Sequence, residues 1–135
     1  LSLPELVAVA RTQIAWEDEH AARAAARLGP AGRGWIVCDT TPLTTLQYAL
    51  HDHGEAPPEL HAMARRPYDL TVLFVQDGCR RDDGFRRAQH AWTLQALAAQ
   101  GVAPLVVRGP VAERLQAVRQ ALGPRAQRDA APFTA

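Results

Sequence analysis

The fold is predicted most directly from one stretch, Gly34-Trp35-Ile36-Val37-Cys38-Asp39-Thr40-Thr41-Pro42-Leu43-Thr44-Thr45, which is apolar at first and then acidic and hydroxyl-rich. Residues 35–38 are continuously apolar and mostly aromatic or β-branched, which is typical of a strand buried on both faces of a parallel sheet. Pro42 cannot extend that strand, but it can open a helix with Thr41 as the N-cap. The stretch therefore predicts a strand, an acidic turn and a helix in succession.

Asp39 would lie at the C-terminal end of the predicted strand. In open α/β sheets ligands bind at that edge, because the chain turns there and exposes backbone amides and short polar side chains in a crevice. Asp39 is therefore a candidate functional carboxylate. The alternative is that it merely caps the helix that follows.

Composition and charge narrow the classes of function. The chain has 135 residues, of which 47% are hydrophobic and 21% charged, and its formal net charge is +1. This is typical of one globular domain and indicates neither a nucleic-acid nor a membrane partner. No apolar run approaches the roughly 20 residues of a membrane span. Cys38 and Cys79 are far apart and lack metal-binding spacing, which favours a reduced, cytoplasmic protein.

Apolar periodicity predicts the other elements. Ser2 and Glu5 have the spacing of a capping box at the start of a long helix that ends near Leu28. Two further strands are expected at residues 70–75 and 102–107, which are apolar and rich in β-branched residues. More helices are expected after Pro42, after the Pro57-Pro58 pair, through Trp92 and after Pro110.

Strands that alternate with helices at this spacing predict an α/β fold, a three-layer sandwich around a parallel sheet. Three strands are few for that architecture, because a parallel sheet needs a well-covered centre. The sequence is therefore expected to be an incomplete fragment whose first strand or strands lie upstream. The expected domain covers residues 1–122, and residues 123–135, with two prolines and no apolar period, are expected to form a flexible tail.

Several short segments, taken in order, resemble a known family. They are Gln13, residues 38–45, the loop of Gly54 and Pro57-Pro58, residues 68–70, residues 75–80, Arg86, and Gly109 with Arg114. Their order and spacing resemble the NadR-like P-loop ATPases, whose best-known activity is that of a ribosylnicotinamide kinase. The resemblance runs from about Leu3 to about Leu122.

The resemblance implies a P-loop NTPase fold of the nucleoside-kinase type, with ATP as phosphoryl donor, Mg²⁺ as cofactor and nicotinamide riboside or a similar nucleoside as acceptor. By the same resemblance, Asp39 is the catalytic strand-end acid that holds the magnesium shell or orients the acceptor hydroxyl. Thr40 and Thr41 belong to the same motif and are implied to bind the substrate. The turn of Asp77 and Gly78 is implied to lie near the acceptor.

The remaining implied residues surround the phosphates and the adenine. Arg80 and Arg86 match catalytic arginines of a lid that closes over the phosphates, and Gly109 with Arg114 matches the cofactor-binding turn near the adenine. Such residue types suit phosphoryl transfer, which depends on positioning and on neutralising charge. The alternative for residues 80–87 is a solvated helix start in which arginines pair with neighbouring aspartates.

Two features depart from the family pattern. The chain has no Gly-rich loop followed by lysine and serine or threonine, and it has no lysine at all, since its fifteen basic residues are arginines. Alone, it is expected to be unable to hold ATP phosphates in the family's manner. A few residues that the family usually has between Leu73 and Phe74 are also missing, so the loop is shortened there or residues are absent from the sequence.

Three hypotheses for the function follow. The first is a small-molecule kinase of the NadR-like kind, and the second is a non-catalytic, nucleotide-responsive module of the same fold. The third is a metal-dependent hydrolase that uses Asp39 with His51, Asp52 and His53, although a His-x-His at a helix end is typical of a surface turn. The expected protein partner is either another copy of this chain, in a homo-oligomer, or a domain fused upstream, and the sequence does not choose between them.

Overall fold

The computed structural model describes residues 1–75 and 84–134, and it describes side chains for residues 1–75 and 84–123. By its contacts the chain divides into two compact units. The first unit is Leu1–Pro67 and the second is Tyr68–Pro132. Within the described residues, no helix is long and apolar enough to cross a membrane.

The first unit consists of three helices. They are α1 (Leu3–Leu28), α2 (Pro42–His53) and α3 (Pro58–Met63). The predicted capping box opens α1, because the Ser2 hydroxyl accepts the Glu5 N–H at 3.4 Å and the Glu5 carboxylate accepts the Ser2 N–H at 2.6 Å. Prolines begin α2 and α3, as the sequence predicts, and α2 ends at Gly54, which adopts the left-handed conformation with φ of 73°.

The core of the first unit lies where the three helices meet. Each helix contributes apolar residues at helical spacing, so that one stripe of each faces its neighbours. The buried apolar residues are Leu6, Val7 and Ala10 of α1, Leu43, Leu46 and Ala49 of α2, Leu60 of α3, and Ala64 just after it. This packing fixes the N-terminal end of α2 beside α1.

The second unit contains a small parallel sheet and two helices. Strand β1 (Val72–Phe74) leads into α4 (Gly84–Ala99), and β2 (Leu105–Val107) leads into α5 (Val111–Thr134). The strands pair in parallel with Val72 opposite Leu105 and Phe74 opposite Val107. Val107 is buried. The described part of the chain is thus a mixed α/β structure, which is consistent with part of the expected fold.

The strand predicted at residues 35–38 is wrong. The structure has no regular element between α1 and α2, and Ile36 is 43% and Val37 89% exposed. A strand requires a neighbour that pairs with its N–H and C=O groups, and the sheet in the described residues contains two strands, neither of them near this segment in sequence. Apolar composition alone therefore did not make residues 35–38 a strand.

The last helix is longer than predicted. The sequence places its end near Leu122, but α5 runs from Val111 to Thr134. Three alanines in residues 124–134 favour helix, but Pro124 and Pro132 disfavour it more strongly, so local propensity does not account for this extension. The domain boundary at residue 122 and the flexibility of residues 123–135 stay predictions.

Candidate functional site

The turn that carries Asp39 lies immediately before α2. Thr41 is the N-cap residue, as predicted, although its side chain makes no capping hydrogen bond. Its carbonyl accepts the N–H groups of Thr44 at 2.9 Å and Thr45 at 3.4 Å, which closes the first turn of the helix. Asp39 and Thr40 are exposed. The structure therefore places Asp39, Thr40 and Thr41 together at the start of α2.

Thr40 has a strained backbone. Its φ of 64° is left-handed, and among the described residues no other non-glycine residue has a positive φ. This region costs an L-amino acid roughly 1–2 kcal/mol, and a β-branched residue seldom adopts it. Residues in such conformations persist where the surroundings hold them and are concentrated at functional sites. The turn beside Asp39 is therefore held by interactions from elsewhere in the unit.

Gln13 of α1 supplies one of these interactions. Its side-chain amide nitrogen donates to the Thr40 carbonyl at 3.1 Å and to the Glu17 carboxylate at 3.0 Å. Both partners are acceptors, so the nitrogen rather than the oxygen of the Gln13 amide must face them. Because Glu17 lies one helical turn beyond Gln13 on the same side of α1, it orients the Gln13 side chain.

Glu17 is itself held by an ion pair. Its side chain is buried, and Arg66, three residues beyond α3, donates to it through Nε at 2.8 Å. Arg66 also donates to Asp18, and this hydrogen bond and charge raise the pKa of Arg66 in spite of partial burial. The pair satisfies a carboxylate that would be costly to bury alone. The residues after α3 are thereby linked through α1 to the Asp39 turn.

Cys38 joins the same network. Partial burial raises the pKa of its thiol, and the neighbouring Glu17 raises that pKa further through its negative charge and by accepting a hydrogen bond from the thiol. Arg66 opposes this effect more weakly. The strand predicted at residues 35–38 would have buried Cys38 among apolar residues, but Cys38 is only half-buried and has a polar partner.

A groove of about 780 Å³ opens beside this turn. One wall is a face of α1 and the other is the irregular segment that precedes α2. Two indole side chains face it, since Trp16 is 65% exposed and Trp35 lines the opposite wall. His20, Gln13, Glu17, Cys38 and Asp39 also line the groove. Trp35 is thus a half-buried groove residue instead of the core residue that the sequence suggested.

The other predicted site residues belong to the second unit or lie outside the described residues. Arg86 is exposed in the first turn of α4. Gly109 has a φ of 80°, and its carbonyl accepts a hydrogen bond from Arg114 Nε at 2.6 Å, so these two predicted cofactor-binding residues are brought together. Arg80, Asp77 and Gly78 lie in residues 76–83, which are outside the described part of the chain.

The metal hypotheses can be tested on the described residues. In residues 1–75 and 84–134, no three His, Cys, Asp or Glu side chains are grouped so that they could hold a metal ion. His53 instead contacts the Leu1 carbonyl at 2.8 Å, at the opposite end of α2 from Asp39. Since that helix has twelve residues, the two ends are roughly 18 Å apart. The hydrolase hypothesis is therefore wrong for this arrangement.

A Mg²⁺ ion bound with a nucleotide makes smaller demands on the protein. It is often held by one or two carboxylates, while substrate phosphates and waters complete its octahedral shell. The Asp39 carboxylate is exposed at the edge of the groove and fits that role, because a single protein carboxylate can be enough for such an ion.

Sequence reasoning missed the residues that support the turn. Glu17 and Arg66 are separated by 49 residues, and nothing local in the sequence links them. One signal was available: Glu17 follows Gln13 by four residues, and the apolar residues Ala10 and Ile14 lie on the same face of α1. A carboxylate on the apolar face of a helix predicts a buried polar contact, although it does not identify the partner.

A family model described as "AAA domain" matches residues 2–114, which is most of the chain. No curated protein and no solved structure matches the chain. The family match confirms the coarser part of the sequence interpretation, a nucleotide-binding domain of the P-loop NTPase type.

Proposed function

Because this chain belongs to the AAA domain family, we propose that it is part of an ATP-dependent kinase that phosphorylates a nucleoside-type metabolite, with nicotinamide riboside as the first candidate acceptor. The observation that carries the proposal is the position of Asp39 at the edge of a groove that two tryptophans line. A carboxylate beside an aromatic groove suits an acceptor that has a flat ring at one end and hydroxyl groups at the other.

The groove has the size and the chemistry for such an acceptor. Its volume of about 780 Å³ lies within the usual range for small-molecule pockets, roughly 300–1,000 Å³. Nicotinamide riboside carries a permanently charged pyridinium ring, and cations of this kind bind favourably over the face of an indole. Trp16 and Trp35 offer such faces, and Asp39 adds a negative charge, whereas the charge of Glu17 is offset by its ion pair with Arg66. These groups favour a cationic nucleoside over a neutral one.

We assign Asp39 one or both of two roles in this reaction. It can accept the proton of the acceptor hydroxyl as the oxygen attacks the γ-phosphorus of ATP and the bond to the ADP oxygen breaks. It can also hold the water shell of the Mg²⁺ ion, which when bound neutralises charge on the transferred phosphoryl group. Thr40 and Thr41 are proposed to contact the acceptor, while Arg80, Arg86, Gly109 and Arg114 keep the lid and nucleotide roles that the resemblance implies.

A second candidate rests on a specific observation. The chain has no lysine, so the phosphate-binding lysine of a P-loop must come from residues beyond these 135 if catalysis occurs. Without such a lysine, the same domain would be a non-catalytic module that responds to nucleotide. Nucleotide binding without turnover would favour this alternative.

The test uses the native gene product that carries this chain. We expect ATP consumption that depends on Mg²⁺ and on nicotinamide riboside, with much weaker turnover of the neutral nucleosides adenosine and uridine. Asp39→Asn should lower kcat at least about 100-fold, since a positioned acid–base group typically contributes that much. Asp52→Asn is the matched control, because Asp52 is exposed at the far end of α2 and should leave kcat unchanged.

The outcomes separate the parts of the proposal. Turnover of a different nucleoside would keep the reaction class and change the acceptor. ATP hydrolysis that needs no acceptor would indicate an ATPase and contradict the kinase. Full activity of Asp39→Asn would remove Asp39 from the site.

A further inference from the structure

We propose that Gln13 is a positioning residue, which holds the Thr40 carbonyl and so fixes the turn that presents Asp39. The consequence for turnover rests on the proposed function, but the hold itself is a property of the structure alone. The starting point is the strained Thr40, whose left-handed φ of 64° requires support from its surroundings.

The hydrogen bonds of Gln13 are suited to this support. Its amide nitrogen has two hydrogens, and one is donated to the Thr40 carbonyl while the other is donated to Glu17. If the Gln13 amide flipped, its oxygen would face both acceptors, and neither hydrogen bond could form. The Gln13 side chain is therefore restricted to one orientation, and the contact spans 27 residues of sequence.

The restriction is maintained by a second layer of contacts. Glu17 is buried and accepts from Arg66 at 2.8 Å, so the group that orients Gln13 is itself anchored. The neighbouring Cys38 also donates to Glu17, which ties the residue before Asp39 to the same carboxylate. Asp39 is thus flanked by two residues, Cys38 and Thr40, that α1 holds in place, while its own side chain is exposed.

Positioning of this kind has a measurable effect on a reaction. A displacement of about 1 Å in a reacting or orienting group can lower the rate about 100-fold. If Gln13 acts through Asp39, its loss should lower kcat, whereas loss of a simple binding contact should raise KM. This distinction matters because Gln13 also lines the groove.

The test compares two variants of Gln13 in the native gene product. Gln13→Leu removes the hydrogen-bonding group, and Gln13→Glu keeps its shape but cannot donate from its carboxylate at neutral pH. Amide hydrogen exchange is measured at Thr44 and Thr45, whose N–H groups close the first turn of α2. We expect exchange to become about threefold to tenfold faster in both variants, as for the loss of one hydrogen bond.

The matched control is Arg23→Leu on the same helix. It breaks an exposed ion pair with Glu19 that has no contact with the turn, so it should change neither exchange at Thr44 and Thr45 nor kcat. For the Gln13 variants we expect kcat to fall up to about 100-fold while KM for the acceptor changes less than about threefold.

Each result decides a different claim. Unchanged exchange in both Gln13 variants would overturn the inference, whatever the activity. Faster exchange with unchanged kcat, or a rise confined to KM, would overturn the positioning role while the proposed function stands. If the wild type has no turnover at all, the proposed function and the catalytic consequence fail together, and exchange alone still decides whether Gln13 holds the turn.

Discussion

Glu17 is the residue that links the separate segments of the candidate site in the first unit. Its carboxylate accepts hydrogen bonds from Gln13 of its own helix, from Arg66 after α3, and from Cys38 in the segment before α2. A buried carboxylate with charged and neutral donors around it is stabilised, whereas the same carboxylate without them would be costly. One side chain therefore connects three segments that are distant in sequence.

The Cys38 thiol gives a direct measure of this contact. Burial and the Glu17 carboxylate both disfavour the negatively charged thiolate, and they therefore raise the pKa of Cys38. Glu17→Gln removes the negative charge, so we expect the thiol pKa to fall and alkylation at neutral pH to become faster. The measurement is the rate of iodoacetamide alkylation against pH in a Cys79→Ser background, so that Cys38 alone reacts.

A control distinguishes the contact from a general change in charge. Glu19→Gln alters a nearby exposed carboxylate that pairs with Arg23, and it should leave the alkylation profile of Cys38 where it is. If both variants shift the profile equally, Glu17 has no special relation to Cys38.

At the level of elements, the turn between β2 and α5 depends on Gly109. Its φ of 80° suits glycine, and an added Cβ would lie 2.9 Å from the Glu113 carboxylate. Arg114 donates to the Gly109 carbonyl and so holds the same turn from the first turn of α5. The predicted cofactor-binding pair is thus also a structural pair, and its two roles need separate measurements.

We expect Gly109→Ala to lower the free energy of unfolding by about 1–2 kcal/mol, the usual cost of a left-handed L-residue. Gly101→Ala is the matched control, because Gly101 has a φ of 73° but nothing within 4 Å of an added Cβ. Urea unfolding followed by circular dichroism measures both. A cost in Gly109→Ala beyond that of Gly101→Ala should disappear when Glu113 is also changed to Ala. Equal costs would show that Glu113 moves aside freely.

At the level of the whole molecule, the main departure from expectation is the surface of the first unit. Trp16, Ile36 and Val37 are exposed apolar residues, and the groove lies among the segments that carry them. Exposed apolar surface that is concentrated in one place commonly marks a binding site. The second unit also exposes apolar side chains, such as Phe74 and Val111, although Val107 of its sheet is only 2% exposed.

A substitution at Val37 tests whether residues 35–38 form an exposed irregular segment or the buried strand that the sequence predicts. Since Val37 is 89% exposed, we expect Val37→Asp to change the free energy of unfolding by less than about 0.5 kcal/mol. The same change at Val107 would bury an unpaired charge and should cost on the order of 3–5 kcal/mol. Urea unfolding measures both variants. A large loss of stability in Val37→Asp would instead support the buried strand that the sequence predicts.

Much of the fold could be predicted because its signals are local. The cap at Ser2, the prolines that begin α2 and α3, and the glycine that ends α2 act through neighbours within about one helical turn. Strands β1 and β2 fall inside the predicted apolar runs, although each is shorter than its run. The carboxylate of Asp39 before α2 was also found, because the change from apolar to polar residues is local.

By itself, then, the sequence determined where helices begin, which runs are apolar, and that Asp39, Thr40 and Thr41 form a polar turn. Only the tertiary structure decided that residues 35–38 pair with no strand, that two tryptophans line a groove, and that Glu17 meets Arg66 across 49 residues. The physical reason is that caps and periodicity depend on residues a few positions away. Strand pairing and buried polar contacts instead depend on which distant segments the packing of the core brings together.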